Sequence, residues 1–155
     1  MGFPEAAQAL YFQFRNNNVL YNYMQFQQKQ NKKARIFFID DEKMMLDMYV
    51  MKFKSAGFDV VACDDSSSAL QQIISFQPDI IFLDLVMAKE DGLNLLKKIK
   101  SAIEIKWIPV IMLSNIDNVI DKKECLKYGA SNYLIKHRFQ PSDLVAYAEE
   151  ILAQV

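Results

Sequence analysis

The sequence has few of the residue types that build several common binding sites. Its 155 residues include only four glycines, at positions 2, 57, 92 and 129, so neither the glycine-rich phosphate loop nor the dinucleotide-binding loop can be assembled. One histidine and two cysteines, Cys63 and Cys125, offer neither the usual ligand set of zinc nor a disulfide framework. We therefore expect reduced thiols, as in a cytoplasmic protein.

Long apolar runs and a strong charge of one sign are also missing. No uncharged apolar run approaches the roughly 18 to 20 residues of a membrane-spanning helix, and no basic segment followed by an apolar block marks the N-terminus for secretion. The net charge is -1, with 52% hydrophobic and 24% charged residues. These values predict a cytoplasmic globular protein that binds neither nucleic acid nor a membrane surface directly.

The near-neutral total conceals two different segments. Residues 1-33 have a net charge of +3, with eleven Asn or Gln and seven aromatic residues in no regular period, whereas residues 34-155 have a net charge of -4. We interpret residues 1-33 as an N-terminal arm that is flexible or serves in docking or dimerisation. Residues 34-155 are then long enough for one folded domain.

From Ala34 onward, short apolar runs alternate with segments of helical periodicity. The predicted strands are 36-39, 58-63, 80-83, 108-113 and 133-135, and the predicted helices are 43-54, 66-76, 93-102, 119-128 and 142-152. Strands that are apolar throughout are typical of a parallel sheet covered on both faces. The sequence therefore predicts an α/β fold with a doubly wound, five-stranded parallel sheet of (βα)5 type. We assign the methionines of the first helix, such as Met44 and Met51, to the core.

Polar residues end several of these strands. Asp40 and Asp41 follow the first strand, Asp84 the third, Ser114 the fourth and Lys136 the fifth. Ligands of such sheets bind at the carboxyl ends of the strands, so we expect these side chains in one crevice. Three close carboxylates repel one another, and a hard cation such as Mg²⁺ compensates them. The hydroxyl and the ammonium then suit an anionic group beside the metal, and an aspartyl phosphate fits that description.

This ordered set resembles the receiver domain of two-component response regulators, which is CheY-like and has a flavodoxin-like sandwich fold. The resemblance extends from about residue 34 to residue 152. It depends on Asp40-Asp41, the segment Asp-Leu-Val-Met-Ala-Lys-Glu-Asp-Gly at 84-92, Ser114 and Lys136, with intervals of 43, 30 and 22 residues from Asp41 onward. No single element is decisive, but the ordered set is specific.

The resemblance implies a phosphorylation site with a bound metal. Asp84 would be the phosphoacceptor in a Mg²⁺-dependent reaction. Asp41 and Asp84 would bind Mg²⁺ directly, Asp40 would help through water, and the backbone carbonyl of Val86 would complete the protein ligands. Such a domain is not an enzyme in the ordinary sense, since it catalyses only its own phosphorylation and dephosphorylation.

The resemblance also implies how the signal leaves the domain. Ser114 would bond the phosphoryl oxygen, Lys136 would pair with it, and Tyr133 matches an aromatic position that swings between exposed and buried states. The fourth helix, fifth strand and fifth helix, about 118-152, would form the remodelled binding surface. No segment after Leu152 is long enough for an effector domain, so we expect a single-domain response regulator. A sensor histidine kinase or phosphotransfer protein would supply the phosphoryl group, and a downstream protein or a homodimer would receive the signal.

Three residues depart from the pattern of the family. Ala88 stands where proline is common, which loosens the loop that follows Asp84. Asn115 stands where a small residue leaves the phosphoryl site open, so its amide narrows access or adds a hydrogen bond. His137 stands where proline usually forms a cis peptide, and a cis bond without proline costs about 2.5-4 kcal/mol. We therefore predict a trans bond with a shifted Lys136, or a strained loop.

Two other functions are compatible with the predicted fold. A flavodoxin-like electron carrier needs donors to a flavin phosphate after the first strand, but residues 40-42 present negative charge there. A pseudo-receiver, an interaction module that is no longer phosphorylated, is compatible with Asn115 and the missing prolines. Retention of all five polar residues at the strand ends favours the phosphorylated receiver.

Overall fold

The computed structural model describes residues 33-154, in which strands and helices alternate along the chain. The strands are β1 (Arg35–Ile39), β2 (Asp59–Cys63), β3 (Ile80–Asp84), β4 (Val110–Ser114) and β5 (Asn132–Ile135). The helices are α1 (Lys43–Ser55), α2 (Ser66–Phe76), α3 (Gly92–Ser101), α4 (Val119–Lys127) and α5 (Pro141–Ala153), with a short 3-10 helix at Lys136–Arg138. The predicted arm, residues 1-33, falls almost wholly outside the described residues.

All five strands pair in parallel, in the order β2-β1-β3-β4-β5. The chain steps from β1 to β2 on one side, then crosses to β3 on the other side of β1 and continues outward through β4 and β5. The order therefore reverses between β1 and β3, which is where such sheets place their ligand sites. The predicted α/β, doubly wound, five-stranded parallel sheet is confirmed.

Side chains of alternate strand residues fill two separate cores. In β1, Phe37 and Ile39 face one core while Ile36 and Phe38 face the other. The first core is closed by α2, α3 and α4, and the second by α1 and α5. The continuous apolar strands seen in the sequence thus have helices on both faces.

The core beneath α1 is largely aromatic. Phe38 stacks on Tyr49 with 5.0 Å between ring centroids and on Phe82 with 4.8 Å, while Phe53 meets Phe38 edge-on. Such ring pairs add about 0.5-1.5 kcal/mol each to the burial of their apolar area. This packing fixes α1 over the centre of the sheet, next to the carboxyl ends of β1 and β3.

Some details differ from the sequence prediction. β4 begins at Val110 rather than at residue 108, because Pro109 has no N–H for the strand ladder. The assignment of the α1 methionines to the core is wrong for Met44 and Met51, which are 82% and 70% exposed. Within residues 33-154, no helix is both long enough and apolar enough to cross a membrane.

Candidate functional site

Buried polar groups concentrate at the carboxyl ends of the central strands. Four of the five buried polar side chains in the described residues belong to the predicted set: Asp40, Asp84, Ser114 and Lys136. Asp40 follows β1, Asp84 ends β3, Ser114 ends β4 and Lys136 follows β5. Parallel pairing brings these four strand ends to one edge of the sheet, as the sequence predicted.

The three aspartates form a tight acidic cluster around one lysine. Oxygen atoms of Asp40, Asp41 and Asp84 lie within 4.8 Å of one another, with Asp41 exposed and the other two buried. The Nζ atom of Lys136 lies 2.5 Å from Oδ2 of Asp40 and 3.1 Å from Oδ1 of Asp84. Three carboxylates therefore face one ammonium, and this cluster carries an excess of negative charge.

Burial and the neighbouring charges shift the pKa values of two members. Burial raises the pKa of Asp84 to about 6, although the positive charge of Lys136 opposes the rise. Burial by itself lowers the pKa of Lys136, but its hydrogen bond to Asp40 and the charges of both aspartates raise it above its ordinary value. Lys136 is therefore cationic at neutral pH, and burial disfavours the ionised form of Asp84.

The cluster opens into a cleft that suits a small hard cation. Its volume is about 240 Å³. The lining residues share a position near the carboxyl ends of β1, β3, β4 and β5: Asp40, Asp41, Glu42, Asp84, Val86, Asn115, Ile116 and Lys136. Mg²⁺ prefers oxygen ligands and retains several waters, whereas zinc prefers Cys and His, so a carboxylate cluster in an open cleft suits Mg²⁺ better. The residues present therefore fit the predicted magnesium site, to which Asp40, Asp41, Asp84 and the Val86 carbonyl were assigned.

The loop between β3 and α3 is held close to the acidic cluster. The backbone N–H of Ala88 donates to Oδ2 of Asp41 at 2.7 Å, and the nearby backbone of Val86 lowers the pKa of Asp84 and so opposes the effect of burial. Gly92 opens α3 against the end of β3, where an added Cβ would lie 2.1 Å from the carbonyl oxygen of Asp84. Gly92 was not among the predicted site residues, although it ends the segment that carried the resemblance.

Ser114 and Tyr133 meet at a single backbone unit, that of Ile116. The Ser114 hydroxyl contacts both the N–H and the carbonyl of Ile116, at 3.1 and 3.2 Å, and the Tyr133 hydroxyl donates to the same carbonyl at 3.0 Å. Tyr133 is buried here. Sequence reasoning did not identify Ile116, because its contribution comes from the backbone and leaves no signal in the residue type.

The structure resolves one question about the departures from the family pattern. No peptide bond in residues 33-154 is cis, so the Lys136-His137 bond is trans. The 3-10 helix that begins at Lys136 turns the chain, and the lysine still reaches both Asp40 and Asp84. Asn115 lines the cleft, together with Asp84 and Lys136.

A doubly wound parallel sheet with this acidic edge and its lysine defines a signalling domain of the receiver class. The family described as the response regulator receiver domain matches the chain over residues 36-149. The chain belongs to this family.

Solved structures give the same fold. A Francisella response regulator 1452 receiver domain is 30% identical, with a TM-score of 0.71, over 79% of this chain and 98% of that chain. The Vibrio cholerae chemotaxis protein CheY4 is 24% identical, with a TM-score of 0.72, over 77% of this chain and 98% of that chain. A CheY-like receiver domain protein from Methanospirillum hungatei is 22% identical, with a TM-score of 0.73, over 79% and 96%.

Proposed function

We propose that this receiver accepts a phosphoryl group on Asp84 in a Mg²⁺-dependent reaction. The observation that carries the proposal is the cluster itself: three carboxylates within 4.8 Å of one another, two of them bridged by Lys136. Such a cluster is costly without a cation, so it favours a site that is completed by one. The location at the reversal of strand order agrees with a binding site.

Asp84 has the environment of a covalent nucleophile. Its carboxylate oxygen attacks the phosphorus of the donor, a P–O bond forms, and the bond from phosphorus to the leaving group breaks with its electron pair going to the donor. Asp41, Asp84 and the Val86 carbonyl would bind Mg²⁺ directly and Asp40 would help through water, and the ion would supply positive charge that offsets the charge on the transferred oxygens. The pKa of about 6 leaves Asp84 mostly ionised at neutral pH.

Lys136 has two successive partners in this scheme. Before phosphorylation its Nζ atom neutralises Asp40 and Asp84, at 2.5 and 3.1 Å. Afterwards it pairs with a phosphoryl oxygen on Asp84, because the new group carries more negative charge than the carboxylate it replaces. The lysine thus stabilises both states without leaving the cleft.

The output follows from the two hydroxyl groups that hold Ile116. As Ser114 turns toward the phosphoryl group, its hydrogen bonds to Ile116 are lost, and the Tyr133 hydroxyl becomes the main restraint on that carbonyl. A two-state shift of this loop changes the start of α4, where Ile116, Val119 and Ile120 are exposed. The surface formed by α4, β5 and α5 is therefore the proposed partner-binding surface.

The remaining features of the proposal concern the cellular setting. A sensor histidine kinase or phosphotransfer protein donates the phosphoryl group, and a downstream protein or a second copy of the chain reads the altered surface. The protein acts in the cytoplasm as a response regulator and binds no nucleic acid directly. Its own phosphorylation and dephosphorylation are the only reactions it catalyses.

Intact-mass measurement with acetyl phosphate tests the proposal. We expect wild-type protein to gain the mass of one phosphoryl group in Mg²⁺ and to gain none in EDTA. Asp84→Asn should stay unmodified, whereas Asp59→Asn, which changes an exposed aspartate at the amino end of β2, should behave as wild type. Absence of modification in wild-type protein with Mg²⁺ would instead identify a pseudo-receiver.

A further inference from the structure

One hydrogen bond at the acidic cluster depends on a backbone N–H at position 88. The Ala88 N–H donates to Oδ2 of Asp41 across 47 residues of sequence, at 2.7 Å. Both residues are exposed, so water competes for the same groups. A bond of 2.7 Å to a carboxylate is in the short, charge-assisted range and is stronger than a bond between neutral groups.

Proline at this position could not form this bond, because it has no backbone N–H. The loss of proline leaves more conformational freedom in the loop between β3 and α3. The hydrogen bond restrains the loop, because it attaches the middle of the loop to Asp41, just after the end of β1. The Gly92 N–H donates to the Leu85 carbonyl at 2.8 Å, so the loop is also held at the end of β3.

The bond also orients the carboxylate of Asp41. Asp40 is held by the Glu42 N–H at 2.9 Å and by Lys136, and Asp84 is held by Lys136. Asp41 is the exposed member of the cluster, and an exposed side chain samples several rotamers unless something holds it. The Ala88 N–H binds one oxygen, Oδ2, and within residues 33-154 no hydrogen bond uses Oδ1.

We propose that Ala88 is a positioning residue for the magnesium site: its N–H holds Oδ2 of Asp41 so that the other oxygen faces the cation. This inference rests on the proposed magnesium site. Groups that hydrogen-bond to metal ligands orient those ligands, and their removal costs about 10- to 100-fold in metal affinity. The hydrogen bond from the Ala88 backbone thus compensates for the greater freedom of a loop without proline at this position.

Calorimetric titration of the full chain with Mg²⁺ provides the first test. Ala88→Pro removes the donor and should weaken Mg²⁺ binding by roughly 10- to 100-fold. Ala88→Gly keeps the N–H and should remain much closer to wild type, although its loop is less restricted. Equal or tighter binding by Ala88→Pro would overturn the proposal, and so would equal weakening in the glycine variant.

Amide exchange measured by NMR tests the bond directly in the wild-type chain, whether or not the proline variant folds. The exposed Ala88 amide should exchange slowly, and Asp41→Ala should release it to rapid exchange. Protection should persist when Mg²⁺ is added, since the bond and the metal use different oxygens. Loss of protection on adding Mg²⁺ would show that the two compete and would refute positioning.

These outcomes separate the inference from the proposed function. If wild-type protein binds no Mg²⁺, the magnesium site fails and the positioning role fails with it. If wild type binds Mg²⁺ and Ala88→Pro binds it equally well, only the role of Ala88 is wrong. Exchange at the Ala88 amide distinguishes loss of this bond from a general effect on folding. A general effect would change exchange at many amides, whereas loss of the bond would change it mainly at Ala88.

Discussion

A basic residue pairs with aspartate at each end of the sheet, but the pair at the amino end is exposed to solvent and the group at the carboxyl end is buried. At the amino end, Arg35 lies 3.9 Å from Asp59, with side chains 27% and 54% exposed. At the carboxyl end, Lys136 lies within 3.1 Å of Asp40 and Asp84, and all three side chains are at most 6% exposed. Water screens the attraction in the first pair. In the buried group the charges interact strongly, so the removal of one changes the energy of the others.

This difference explains why one end is a candidate site and the other is not. An exposed ion pair contributes about 0-1 kcal/mol and can be lost at little cost. A buried pair repays the desolvation of its charges only while every partner is present. Asp40, Asp41 and Asp84 carry two more negative charges than Lys136 balances, and this excess makes the cluster responsive to a divalent metal ion.

Removal of the buried cation should have the largest effect. Lys136→Met leaves Asp40 and Asp84 buried with no ammonium, and breaking a buried pair in this way costs about 3-5 kcal/mol. Urea unfolding in EDTA measures the change in the free energy of unfolding, and added Mg²⁺ should restore part of it. A loss below about 1 kcal/mol would mean that the carboxyl end behaves like the exposed end.

Addition of a Cβ at position 92 should have the second largest effect on stability. In Gly92→Ala the new atom would lie 2.1 Å from the carbonyl oxygen of Asp84, so the start of α3 must move away from β3. We expect a loss of about 1-3 kcal/mol on thermal or urea unfolding, as for other overpacked sites. Alanine normally stabilises a helix by about 1 kcal/mol relative to glycine, so a stabilised variant would disprove the close approach.

The pH dependence of stability should distinguish Asp84 from the exposed aspartates. Because burial raises its pKa from 3.8 to about 6, the folded state binds the proton more tightly than the unfolded state. The resulting stability is fully present below pH 3.8 and is lost as the pH rises through about 6. In EDTA at about pH 7.5, Asp84→Asn should therefore be more stable than wild type.

That advantage should shrink as the pH falls to about 5, where the wild-type carboxyl is largely protonated. Urea unfolding at both pH values measures it, with Asp59→Asn as the control at the amino end. An advantage that grows on acidification would contradict the raised pKa of Asp84.

Change at the amino end should have the smallest effect. Arg35→Gln removes the distant pair with Asp59 and the guanidinium that lies 4.5 Å from the centre of the Phe76 ring. For groups this exposed, we expect a loss of about 1 kcal/mol or less in urea unfolding. A loss equal to that of Lys136→Met would remove the contrast between the two ends.

Much of the fold and the site could be predicted because strong sequence patterns control them. Apolar strands with helical segments between them predicted the parallel sheet, and parallel strands necessarily bring Asp40, Asp84, Ser114 and Lys136 to one edge. The position of the acidic cluster thus followed from the order of the strands and from the residue that ends each one. No knowledge of side-chain contacts was needed for that step.

The remaining details depend on contacts that residue types do not reveal. The Ala88 and Ile116 contributions come from backbone groups, which every residue other than proline carries in full. Met44 and Met51 recur at helical spacing with Met48, but the sheet covers the face with Leu46, Tyr49 and Phe53 instead. An apolar helix with two candidate faces does not indicate which face is buried.

Beryllofluoride binding, followed by fluorine NMR, tests the central claim most directly. This anion resembles a phosphoryl group and needs both the carboxylate and a cation to bind. We predict a bound signal for wild type and for Asp59→Asn in Mg²⁺, and none in EDTA or with Asp84→Asn. A bound signal in Asp84→Asn, or none in wild type with Mg²⁺, would contradict a phosphoacceptor site at the carboxyl end of the sheet.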